Sequence, residues 1–202
     1  EAAIVGCCPT GHKALVVDNG KFAEPWVKVC AAFSIAHNRL PIEWGRGARA
    51  ADIGKAMDAD PKIDTIIVVH SETSTTALSD VAGIGRLTRD RGALLIVDGI
   101  TSVGAIPCKM DEWGVDAYIT GSQKALMLPP GLAFVAVSDR AWERIESGKT
   151  PTLYNDLKAY RKSLAEWDVP YTPPVSLVRG LLCVLRGIKE RGLESIWAET
   201  TV

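Results

Sequence analysis

Two side chains are placed where chemistry could use them. Asp98 closes the apolar run Ala93–Asp98, and Lys124 follows a second apolar run in the turn Gly121-Ser122-Gln123-Lys124. A third run ends in His70-Ser71-Glu72-Thr73. Neighbouring strands of an open α/β sheet would bring these carboxyl ends into one crevice, where such sheets collect functional groups. A carboxylate there can ligate a metal, hold a ribose, pair with a protonated ring nitrogen, or cap the next turn. No second carboxylate or histidine lies at ligand spacing, so a metal is disfavoured. Asp111 and Glu112 are adjacent and read as a solvated turn. No G-x-G-x-x-G follows a strand, which disfavours a dinucleotide. Lys124 precedes Ala-Leu-Met-Leu-Pro-Pro-Gly, and a lysine held against apolar surface loses its charge readily, as Schiff-base chemistry requires. The alternative is an ordinary solvent-facing lysine. An acid and a lysine in one crevice suit pyridoxal 5'-phosphate, with the lysine forming a Schiff base and the acid keeping the pyridine nitrogen protonated.

The elements that must position these groups are read from periodicity. Ala14–Asp18, Ile63–His70, Ala93–Asp98, Ala117–Gly121 and Leu132–Ser138 are apolar at nearly every position, the pattern of strands buried on both faces of a parallel sheet. Leu40–Trp44 is a weaker strand candidate, because Pro41 removes a ladder donor. Helical spacing covers Phe22–His37, with Pro25 in the first turn. It also covers Ser79–Arg91 before Gly92, and Asp139–Ser147 from an Asp cap to Gly148. The alternation predicts an α/β fold: a three-layer αβα sandwich with a mostly parallel sheet. Beyond Gly148 the expected elements are helices over Tyr154–Trp167 and Val175–Arg191, joined by the Pro-broken Asp168–Pro174. Glu1–Cys8 reads as the tail of a helix.

The chain has 202 residues, 47% hydrophobic and 23% charged, with a net charge of −1. At this length roughly 70% of the unfolded surface can be buried, so no disulfide or metal is needed to hold a core. The charge balance argues against a nucleic-acid partner or a polybasic membrane anchor, and no apolar run reaches the roughly 20 residues a bilayer requires. The cysteines (Cys7, Cys8, Cys30, Cys108, Cys183) form no C-x-x-C and read as reduced thiols packed as small hydrophobes. A cytoplasmic location is the default expectation.

Four stretches in order, His70–Asp80, Val97–Pro107, Met110–Asp116 and Gly121–Gly131, together resemble the class V aminotransferases, in particular the serine–glyoxylate and alanine–glyoxylate group. The resemblance implies the large domain of a pyridoxal-phosphate-dependent transferase of fold type I. It implies that Lys124 holds the cofactor as a Schiff base and then moves protons, and that Asp98 pairs with the pyridinium nitrogen. Thr73 would hydrogen-bond the phenolic oxygen, Gln123 would contact the phosphate, Phe22 would stack on the ring and Ile100 would pack on the cofactor face. Thr172 in Pro170–Pro174 would reach the cofactor phosphate of a neighbouring subunit, which implies a homodimer with shared sites.

The implied substrates are a small amino acid, serine or alanine, and a 2-oxo acid, glyoxylate or pyruvate. Alternatives are an aminophosphonate transaminase, a lyase of the same class, or a catalytically silent domain. Family members also carry a phosphate-binding loop before the residues matching Glu1 and a C-terminal small domain with a substrate-binding arginine; both are expected to lie outside this chain. Trp26 reads as core, His70 as a structural histidine, Glu72 as undecided, and Arg179 and Arg186 as solvated.

Overall fold

The structure, a computed structural model, describes residues 1–149 and 151–200. Its centre is a six-stranded sheet of β1 (Lys13–Asp18), β2 (Ala36–Pro41), β3 (Thr65–Val69), β6 (Leu94–Asp98), β7 (Ala117–Gly121) and β8 (Ala133–Val137). The order is β2-β1-β3-β6-β7-β8, parallel throughout except for the β7–β8 pair. A two-stranded hairpin, β4 (Ser71–Glu72) with β5 (Ala77–Leu78), follows β3.

The unbroken apolar runs are explained by two cores, one on each face. Ala14, Val16, Ile67, Val69, Leu94, Ile96 and Ala117 pack toward α1 (Ala2–Cys7), α2 (Glu24–Ala32), α6 (Asp139–Ser147) and α7 (Leu157–Ala165). Their chain neighbours Leu15, Val17, Ile66, Val68, Leu95, Val97 and Tyr118 turn to α3 (Ala50–Ala59), α4 (Val81–Asp90) and α5 (Met110–Trp113). Alternate side chains point to opposite faces, so a strand covered on both sides has no polar position to offer. Each fully buried aliphatic side chain contributes about 1.5–3 kcal/mol.

The expected three-layer sandwich is observed, with corrections at its edges. The helix expected over Phe22–His37 stops at Ala32. Ser34 adopts φ +55° and the Ile35 N–H donates to Cys30 O, turning the chain into β2. The strand is therefore Ala36–Pro41 rather than Leu40–Trp44, and His37 is a strand residue. As the outermost strand, β2 tolerates Pro41, since one side of an edge strand needs no donors.

Two helix starts shift by a residue. Asp80, not Ser79, caps α4 by accepting from Gly83 N–H at 2.8 Å, and Ser138, not Asp139, caps α6 through Ala141 N–H at 3.2 Å. The supposed turn at Asp111 and Glu112 is the single helical turn α5, with both carboxylates exposed. Helix α8 (Val175–Arg191) has the expected bounds, and α9 (Leu193–Thr200) follows it. Cys7, Cys8 and Cys30 are buried free thiols, whereas Cys183 is exposed. Among the described residues no helix is long and apolar enough to cross a membrane.

Candidate active site

The carboxyl ends of β1, β3, β6 and β7 lie along one edge of the sheet because these strands are parallel and adjacent. Register places Asp98 opposite Val69 on one side and Ile119 on the other. The turn after β7 is anchored by Ser122, which is fully buried. Its hydroxyl donates to Pro129 O at 2.7 Å and accepts from Leu132 N–H at 3.2 Å, while its carbonyl accepts from Leu128 N–H. This knot presents Lys124 on the outside of the turn. Lys124 is exposed, and its Nζ has no hydrogen-bond partner among the described residues. The expectation of a lysine pressed against apolar surface is therefore not met within this chain.

Asp98 is held by two donors, one to each oxygen. The Ile100 N–H donates to Oδ1 and the Trp26 indole Nε1–H donates to Oδ2, both at 3.1 Å. Burial pushes the Asp98 carboxyl above the ordinary carboxylate range; the two hydrogen bonds oppose that push and the nearby Glu72 charge reinforces it. Trp26 was read as core, and it is both core and contact: 8% exposed within the α2 side of the sandwich, with its one polar atom aimed at Asp98. A buried indole N–H generally finds an acceptor, which is the signal that could have exposed this role.

Glu72 is completely buried. Its Oε2 accepts from Phe22 N–H and Ala23 N–H at 2.9 and 3.1 Å, and its Oε1 accepts from Ser74 N–H at 3.0 Å and the Ser74 hydroxyl at 2.7 Å. The carboxylate thus ties the turn after β1 to the β4–β5 hairpin. Gly20 is required at this junction, since a Cβ there would come within 2.4 Å of Glu72 Cγ. Phe22, which rides on this turn, is 47% exposed, and Thr73 is exposed beside Glu72 in the hairpin connection.

Ile100 and Gln123 meet over Gly121, where a Cβ would lie 3.3 Å from Ile100 Cδ1 and 2.8 Å from Gln123 Oε1. The structure thus gathers Phe22, Thr73, Asp98, Ile100, Gln123 and Lys124 at one sheet edge. Thr172 is not joined to them; it is exposed in the connection before α8 and has no hydrogen bond to these residues.

His70 is structural. It is 4% exposed, its Nδ1 hydrogen-bonds the Tyr118 hydroxyl at 2.7 Å, and Trp113 and Tyr118 stand edge-on to its ring. Burial lowers its pKa to about 4, which keeps it neutral near pH 7. Arg179 and Arg186 are exposed on α8, as expected. Among the described residues no group of His, Cys, Asp and Glu is gathered that could hold a metal ion.

Comparison with known proteins extends this picture over the whole chain. Residues 7–201 match the aminotransferase class-V family. A protein named soluble hydrogenase, small subunit, from Synechococcus sp. (strain PCC 6716) is 40% identical over 98% of this chain and 52% of its own. The L-aspartate–glyoxylate aminotransferase of Paracoccus denitrificans (strain Pd 1222) is 37% identical over 98% of this chain and 51% of its own. Among solved structures, an alanine–glyoxylate aminotransferase from Nostoc sp. superposes with a TM-score of 0.92 at 30% identity, covering 98% of this chain and 53% of that one. The chain spans about half the length of the curated relatives it matches. With the family match covering nearly every residue and the same α/β sandwich in the solved neighbour, this chain belongs to the class V aminotransferase family.

Proposed function

We propose that this chain supplies the cofactor-binding part of a pyridoxal-phosphate-dependent aminotransferase that moves the amino group of serine or alanine to glyoxylate or pyruvate. The observation that carries the reading is the pair Asp98 and Lys124 at the carboxyl ends of adjacent strands β6 and β7, one half-buried and doubly hydrogen-bonded, the other presented on an anchored turn. This donor set fits pyridoxal 5'-phosphate: a carboxylate for the ring nitrogen, an amine for the aldehyde, and neutral hydroxyl and amide groups for the oxygens. When bound, that group supplies an aldehyde that takes amines and a cationic ring that withdraws electrons from the substrate Cα.

Asp98 holds the proton on the ring nitrogen. Lys124 Nζ would anchor the cofactor and would take the proton from the substrate Cα. Thr73 would donate to the phenolic oxygen, Gln123 would contact the phosphate, Phe22 would stack on the ring and Ile100 would pack on the cofactor face. Thr172 serves the phosphate of a neighbouring subunit in a homodimer with shared sites, working in the cytoplasm. Support for self-association comes from α8, where Val178, Leu182 and Leu185 are roughly half exposed along one stripe. Glyoxylate as acceptor is supported by the names of the aminotransferase relatives.

Borohydride reduction after loading with pyridoxal 5'-phosphate, followed by peptide mapping, tests the core of this. A pyridoxyl adduct on Lys124 is expected, and none in Lys124→Ala, which should keep its stability within about 0.5 kcal/mol because the side chain is exposed. An unmodified Lys124 in folded, loaded protein overturns the reading. Serine, alanine and aspartate with either oxo acid then resolve the donor.

A further inference from the structure

We infer that Trp26 is a positioning residue for Asp98, its indole N–H fixing the carboxylate so that the remaining lone pairs face the cofactor's ring nitrogen. The inference rests on the function proposed above and deepens it. Each Asp98 oxygen receives one donor from the chain, Ile100 N–H on Oδ1 and Trp26 Nε1–H on Oδ2, both at 3.1 Å. Two fixed donors on opposite oxygens stop the carboxylate from rotating and leave each oxygen free to accept again.

The two donors differ in stiffness. The Ile100 N–H belongs to the turn directly after β6, two residues from Asp98, and is a local contact. Trp26 reaches Asp98 from α2, a different element, and its indole is locked in the core beside Cys30 and Ala23. The orientation of Asp98 is thereby referred to the helix layer rather than to its own loop.

The chemistry of the donor matters as well. An indole N–H is donor-only and does not titrate, so it can neither take the ring proton nor lend a positive charge. An arginine or lysine in its place would neutralise the carboxylate and weaken its hold on a pyridinium. The ionisable side chains that bear on Asp98 are Glu72 and Tyr118. Burial and Glu72 both favour the protonated form, and the Trp26 and Ile100 hydrogen bonds favour the ionised one that the pairing requires.

The test is Trp26→Phe in the full chain, with the affinities for pyridoxal 5'-phosphate and for its 1-deaza analogue, which has C–H in place of the ring nitrogen. Loss of one charge-assisted hydrogen bond is expected to weaken pyridoxal 5'-phosphate by about tenfold, with the 1-deaza analogue unchanged. In cofactor-free protein, the carbon-13 signal of the Asp98 carboxyl should titrate at higher pH than in the wild type. Equal weakening for both ligands, or an unmoved Asp98 titration, overturns the inference, since a purely structural tryptophan would affect both ligands alike. Should the phenylalanine variant not fold, 3-benzothienylalanine at position 26 keeps the bicyclic volume and replaces N–H by sulfur. If the wild type binds neither ligand, the proposed function fails, while the Asp98 titration still decides whether Trp26 acts on the carboxylate.

Discussion

Replacing Glu72 by Gln changes almost no volume and inverts the hydrogen bonding of a fully buried group. Both Glu72 oxygens accept twice, from Phe22 N–H and Ala23 N–H on one side and from Ser74 N–H and the Ser74 hydroxyl on the other. A Gln amide has one oxygen for four donors. Facing its NH2 toward Phe22 and Ala23 would set donor against donor at both, strand the Phe22 N–H and leave Ala23 N–H only Gly20 O, so the amide must turn the other way. There the Ser74 hydroxyl can rotate and accept from it, leaving only the Ser74 N–H unpaired. Three bonds survive but fall from charge-assisted to neutral strength, about 1 kcal/mol each, and one is lost at about 1–3 kcal/mol. Relief from burying a charge offsets part of that sum, so a net cost of about 2 kcal/mol is expected. Glu72→Ala, which removes all four contacts and leaves Ala23 N–H only its bond to Gly20 O at 3.1 Å, should cost about 4 kcal/mol. For a chain of this size each kcal/mol corresponds to about 2–4 °C in Tm. Urea and thermal unfolding read the total, and amide exchange at Ala23 and Ser74 reads the site. A Gln variant within 0.5 kcal/mol of the wild type, or unchanged exchange at Ser74, would refute the four-acceptor assignment.

Two more outcomes follow from burial and close packing. His70 stays neutral in the folded chain down to about pH 4, whereas the unfolded chain protonates it near pH 6.5, so the unfolded state binds more protons in that interval and stability falls with falling pH. The contribution reaches about 3 kcal/mol by pH 4, and a His70→Gln profile parallel to the wild type between pH 7 and pH 4 would contradict it. Helical glycines should respond to alanine with opposite signs. Gly85→Ala puts a Cβ 1.8 Å from Trp113 O and should cost about 2 kcal/mol, while Gly54→Ala, with Leu87 Cδ2 at 3.7 Å, should gain about 0.5–1 kcal/mol. Two changes of the same sign in chemical denaturation would refute the packing argument.

The inner strands were legible because both of their faces are covered. Leu94–Asp98 reads as a strand since Leu94 and Ile96 serve one core and Leu95 and Val97 the other. The edge strand was not. In β2 only some positions are partly buried, and the apolar spacing of Phe33 and His37 extends the preceding helical pattern past its end. What ends α2 is a left-handed Ser34, a conformation that sequence spacing does not report. Helix α3 and the two-residue strands β4 and β5 carried no expectation at all. Pairing of Ser71 with Leu78 and Glu72 with Ala77 is too short to leave a periodic trace.

For the site, the sequence alone determined the chemical inventory. A carboxylate, a lysine and hydroxyls follow buried strands, and parallel topology sends the ends of such strands to one edge, so their convergence could be argued from order alone. Tertiary structure decided how each group is held. Trp26 and Glu72 are 72 and 50 residues from the Asp98 and Phe22 groups they bond, and no local pattern encodes a hydrogen bond across that separation. Their roles come from packing, which buries one indole N–H and one carboxylate where only distant partners can satisfy them.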